Sequence, residues 1–152
     1  MTLTTNLVLK LDISNVPLSL GDDIEHVLRI LSNYKVSRED DLEMGRSYLL
    51  MIERGVELTF KLNQLSSVFL YITKGPENLG LFDGETDLLE KEIIQSQDEN
   101  LFSEALESKG FRPTERVYPF AVDRLNDSIR IRLEKREGRA IILIDNGAMV
   151  RN

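Results

Sequence analysis

Two rhythms of apolar residues run along this chain. Val56, Leu58 and Phe60 alternate with Glu57, Thr59 and Lys61, the period of a half-buried strand. Val68, Leu70 and Ile72 alternate with Phe69 and Tyr71, apolar on both faces, which predicts a central, covered strand. With 48–53 before them, and turns at Arg54-Gly55 and 62–66, these runs predict an antiparallel meander over 48–73. Leu7, Leu9, Leu11 and Ile13 alternate with Val8, Lys10 and Asp12 and predict a first strand. Pro17 and Gly21 mark the loop after it. The rhythm then changes: Ile24, Val27, Leu28 and Leu31 form one helical stripe over 22–33. Asp22 fits as its N-cap with Glu25 three residues on, and Asp23 complements the helix dipole. The polar run 35–45 reads as an acidic loop.

Gly75-Pro76 closes the meander, and 77–85 reads as a loop carrying Gly80 and Gly84. Leu88, Leu89 and Ile93 predict a short helix. Leu101, Phe102, Ala105 and Leu106 predict a second over 98–109, ended by a left-handed Gly110 with Phe111 as its apolar contact. Strands follow at 117–122, 128–134 and 140–145, separated by Asn126-Asp127 and by a turn containing Gly138. Helix, acidic segment, strand, alternating strand and all-apolar strand thus occur twice. Glu57-Leu58-Thr59-Phe60 matches Arg130-Ile131-Arg132-Leu133 in pattern, and Phe69-Leu70-Tyr71-Ile72 matches Ile141-Ile142-Leu143-Ile144. Two αβββ pseudo-repeats, about 20–75 and 86–146, and two unrelated hairpins after helices both fit this order. Either way the class is α+β: one domain over 1–152, with helices packed on one face of a mainly antiparallel sheet.

Charge changes the picture more than composition does. The net charge is −7, but residues 77–107 carry ten acids against Lys91 alone. These are Glu77, Asp83, Glu85, Asp87, Glu90, Glu92, Asp98, Glu99, Glu104 and Glu107. Such a block attracts cationic partners and repels nucleic acid and anionic membrane. The chain has no cysteine, so neither disulfides nor a thiol nucleophile are available. No basic region precedes Asp12, and no apolar run approaches the roughly 20 residues of a membrane span, so neither a signal peptide nor a membrane segment is expected. The cytoplasm is the expected compartment.

Catalytic constellations are hard to assemble. His26 is the single histidine and lies beside Glu25 on the first helix, where a solvated side chain is the expected role. With no cysteine and one histidine, the usual zinc sets cannot form, and no phosphate-binding glycine loop is present. Asp83, Glu85 and Asp87 are spaced like the start of a calcium loop, yet Leu88 and Ile94 stand where its glycine and final glutamate belong. No cofactor or metal is expected. Arg130, Arg132, Lys135, Arg136 and Arg139 form a basic patch with no aromatic interleaved in sequence for base stacking. Its expected role is internal charge balance or protection of a strand edge.

Gly55-Val56-Glu57-Leu58-Thr59-Phe60, then Leu65-Ser66-Ser67-Val68-Phe69-Leu70-Tyr71-Ile72, resembles bacterial immunity proteins of contact-dependent growth inhibition and related polymorphic toxin systems. In these a Gly-opened strand, a turn and an apolar strand precede a loop bearing glycine and proline. The resemblance covers about thirty residues and implies a cytoplasmic, non-enzymatic toxin inhibitor. It would act by protein–protein interaction, blocking the active site or substrate access of a cognate toxin domain. The acidic block suits a basic, nuclease-type partner. The candidate partner-binding residues are Asp83, Glu85, Asp87, Glu90, Glu92, Asp98 and Glu99, joined by Glu39, Asp40 and Asp41. An adaptor or assembly protein binding another protein is the alternative, and a small carboxylate-based hydrolase a third.

Overall fold

The computed structural model describes residues 6–11, 14–73, 79–114 and 117–146. The fold is α+β, and all its named strand pairs are antiparallel. Strands β1 (Asn6–Lys10) and β2 (Asn15–Ser19) form a hairpin, which β7 (Glu85–Thr86) extends beside β1. The larger sheet has eight strands in the order β3-β4-β5-β6-β11-β10-β9-β8. Its first half is β3 (Val36–Asp41), β4 (Arg46–Met51), β5 (Val56–Lys61) and β6 (Gln64–Tyr71). Its second half is β8 (Arg112–Pro113), β9 (Ala121–Leu125), β10 (Ile129–Arg136) and β11 (Arg139–Asn146). Each half is a meander following helix: α1 (Ile24–Ile30) before the first, α2 (Lys91–Ser96) and α3 (Glu99–Glu107) before the second. The halves join along β6 and β11.

One face of the large sheet is the core. Leu49, Met51, Val56, Leu58, Phe60, Val68, Leu70, Ile131, Leu133, Ile142 and Ile144 are buried in one cluster with Leu9, Val27, Leu31, Ile94, Phe102 and Leu106. The helices and the small sheet therefore share one apolar layer with the inward residues of the large sheet. Leu28, expected in the helical stripe, is only partly buried. Gly55 allows the layers to close. Its φ is +65, and a Cβ there would lie 2.4 Å from the Phe82 backbone nitrogen, so only glycine fits both the turn and the chain passing beside it.

Several expectations need correction. The supposed acidic loop at 35–45 is largely strand β3, with only 42–45 forming a turn. An edge strand needs hydrogen bonds on one side alone, and charged residues there deter further pairing. It therefore lacks the apolar alternation that would reveal it. The loop with Pro17 is strand β2, also an edge, where proline is tolerated. The strand expected at 117–122 begins at Ala121, because 118–120 turn around Pro119 before Asp123 and Arg124 continue the strand. Strand β6 is central, but its outer face is only partly covered: Tyr71 is buried there, while Phe69, Ile141 and Leu143 stay half-buried. The N-cap of α1 is Asp23, whose carboxylate accepts from the Glu25 amide at 3.0 Å, while Asp22 accepts from the Ser19 amide at 2.9 Å. Gly110 does adopt the left-handed turn (φ +90), with Phe111 buried. Asp12, Ile13 and Gly75-Pro76 lie outside the described residues.

Candidate functional site

The acidic block divides by role. Asp98 is the N-cap of α3, accepting from the amides of Asn100 and Leu101 at 2.8 and 3.1 Å. Asp87 accepts from the Val8 amide at 3.1 Å and ties the loop to β1. Glu85 lies in β7 opposite Lys10. Asp83 pairs with Lys91 at 3.1 Å, and Glu107 approaches Arg124 on β9 at 3.8 Å. The segment resembling a calcium loop is thus a strand and turn. The Thr86 hydroxyl reinforces it by accepting from the amides of Leu88 and Leu89 at 3.0 and 2.9 Å. Among the described residues no group of three His, Asp or Glu side chains could hold a metal ion.

Four acids remain once those roles are assigned. Glu90, Glu92, Glu99 and Glu104 are exposed on or beside α2 and α3, with no ion pair among the described residues. Glu92 and Glu99 sit in first helical turns, where negative charge complements the helix dipole. Glu90 is the N-cap residue of α2, though its side chain makes no capping hydrogen bond, and Glu104 alone lies away from a helix start. Glu77 lies outside the described residues.

Glu39, Asp40 and Asp41 stand on β3, at the opposite end of the large sheet from β9, against which α3 packs. The structure does not gather the two acidic groups into one patch. Arg38 links β3 to α1, reaching Glu25 at 3.5 Å and Asp40 at 3.1 Å. The Ser47 hydroxyl, and then Arg38, hold the Asp40 carboxyl below its ordinary value. His26 is exposed on α1.

Two arginines of the basic patch, Arg130 and Arg132, are paired with acids within the sheet. Arg132 bonds Asp123 through two nitrogens at 2.6 and 2.9 Å. Arg130 donates to Asp145 at 3.0 Å and lies 3.8 Å from Asp123, whose side chain is 0% exposed. Strand register explains this, since Arg132 stands opposite Asp123 and Arg130 opposite Asp145. The pairing becomes visible only once the neighbours in the sheet are known. Aromatic rings reach the patch from the turn before β9: Arg132 stacks over Tyr118 at 4.6 Å and Arg136 over Phe120 at 5.0 Å. Those ring faces are engaged by guanidinium groups, an arrangement unlike a row of rings open to bases.

Among the described residues no helix is long and apolar enough to cross a membrane. No protein-family model, curated protein or solved structure matches this chain.

Proposed function

We propose that this chain is a non-enzymatic immunity protein that binds a cognate toxin domain of nuclease type in the cytoplasm and blocks its active site or substrate access. The observation that carries this reading is the set of exposed carboxylates on or beside α2 and α3, Glu90, Glu92, Glu99 and Glu104, which form no ion pair among the described residues. Like charges spaced this closely repel one another and lower stability, so a cationic partner gives them a use. A nuclease cleft is basic because it holds phosphates, and carboxylates can occupy it in their place. Complementary charge also speeds encounter toward roughly 10⁸–10⁹ M⁻¹s⁻¹, which an inhibitor protecting its own cell requires.

The test is neutralisation. An immunity gene is expected directly downstream of its toxin gene, so the toxin domain encoded immediately upstream is expressed in a bacterial host with and without this chain. Survival with the chain, and a purified complex in which the toxin no longer cleaves nucleic acid, is the expected result. Death in both cultures, with no complex formed, overturns the reading.

A further inference from the structure

Three large apolar side chains stand in solvent at one end of the molecule: Leu42 is 91% exposed, Met44 62% and Leu62 82%. They come from two hairpin turns, 42–45 between β3 and β4 and 62–63 between β5 and β6. The Leu62 amide donates to the Gly45 carbonyl at 2.9 Å, and a Cβ on Gly45 would lie 3.2 Å from Leu62 Cδ2. The two turns therefore form one apolar tip. It is also held firmly. The Asn63 carbonyl accepts from the Ile24 amide at 2.9 Å, and Leu65 exchanges backbone hydrogen bonds of 2.8 Å with Gly21 and Asp22.

Leu62 is out of place by local rules. Its φ is +49 and that of Asn63 is +68, the left-handed pair of a two-residue hairpin that favours Asn or Gly. A leucine there accepts steric strain and keeps its side chain in water, and the core gains nothing in return. Residues that break local rules without a folding benefit are where function is expected. Apolar anchors inside a charged rim are the usual centre of a protein–protein contact, and a pre-ordered anchor loses little entropy on binding.

We infer that Leu42, Met44 and Leu62 form an anchor that enters an apolar pocket on the protein partner. Resting on the inhibitor reading, this adds a second contact with the partner at the β3 end of the sheet, apart from the α2 and α3 carboxylates. With Asp40 paired to Arg38, Glu39, Asp41 and Glu43 still outnumber Arg46 and Lys61 beside the tip, so the pocket's rim is basic. The same excess of acid disfavours a second copy of this chain, whose acidic rim would meet its own kind.

The upstream toxin domain used for neutralisation is the probe. Leu42→Ser with Met44→Ser, and separately Leu62→Asn, are titrated against it and melted alone. Each variant is expected to bind about tenfold more weakly or worse. Leu62→Asn should melt at or above the wild-type temperature, since asparagine suits the left-handed turn. Weakened binding by that variant therefore cannot be ascribed to unfolding. In the wild-type complex, peroxide should oxidise Met44 more slowly than in the free chain, as read by mass spectrometry. Full affinity in all variants, with Met44 oxidised equally fast, overturns the anchor and leaves the inhibitor reading standing. Variants that lose only self-association by light scattering, and keep toxin affinity, also overturn it. No binding by the wild-type chain removes both proposals.

Discussion

Glu57 shows how a single carboxylate registers its surroundings. It lies on the half-buried outer face of the sheet, where the Tyr71 hydroxyl donates to it at 3.3 Å. Burial raises the Glu57 carboxyl above its ordinary value, and the charge of Glu39 pushes the same way against the tyrosine's hydrogen bond. Burial and the Glu57 charge likewise raise the Tyr71 hydroxyl. The folded chain thus holds the Glu57 proton more tightly than the unfolded chain. Stability from this group is present at low pH and is lost as pH rises from the ordinary value near 4.5 through the raised folded value. Glu57→Gln keeps an acceptor for Tyr71 and removes the charge. It should raise the melting temperature at pH 7 by no more than a few degrees, because the site is half open to water, and leave it nearly unchanged at pH 4. An equal shift at both pH values would show that the gain has another source.

Elements that announce themselves by alternation were legible in the residues alone. Leu58 and Leu70 were expected on the core face of neighbouring antiparallel strands, and both are fully buried there, with Val56 opposite Leu70 and Leu58 opposite Val68. Leu58→Ala or Leu70→Ala should cost about 2–5 kcal/mol in urea unfolding. Edge strands were not legible, since β3 uses charge where a central strand uses valine. Nor was the cluster of Asp123, Asp145, Arg130 and Arg132, because its partners are brought together by register across β9, β10 and β11. Asp123→Ala leaves two little-exposed guanidinium groups short of their shared partner. It should destabilise the fold by about 3–5 kcal/mol, measured the same way. A loss below about 1 kcal/mol would mean that water or Asp145 compensates.

At the scale of the whole molecule, charge could be counted from the sequence but not located. The concentration of acids in 77–107 was plain, whereas its division into caps, ties and unpaired carboxylates depends on backbone geometry. Its separation from Glu39, Asp40 and Asp41 depends on strand order. The tip was missed because Leu42, Met44 and Leu62 read as ordinary apolar residues until their exposure was known. This division also chooses the cleanest probe. Asp83→Lys with Asp87→Lys would break the contacts to Lys91 and to the Val8 amide and so mix stability with binding. Glu92→Lys with Glu99→Lys touches no cross-element contact among the described residues, though it costs the helix starts some dipole complement. The most direct measurement is the association rate of this double variant with the upstream toxin domain, at low and high salt, beside the wild-type chain. An acidic inhibitor steered by α2 and α3 predicts markedly slower association at low salt and a flatter salt dependence. Identical rates and identical salt dependence in the two proteins would contradict it.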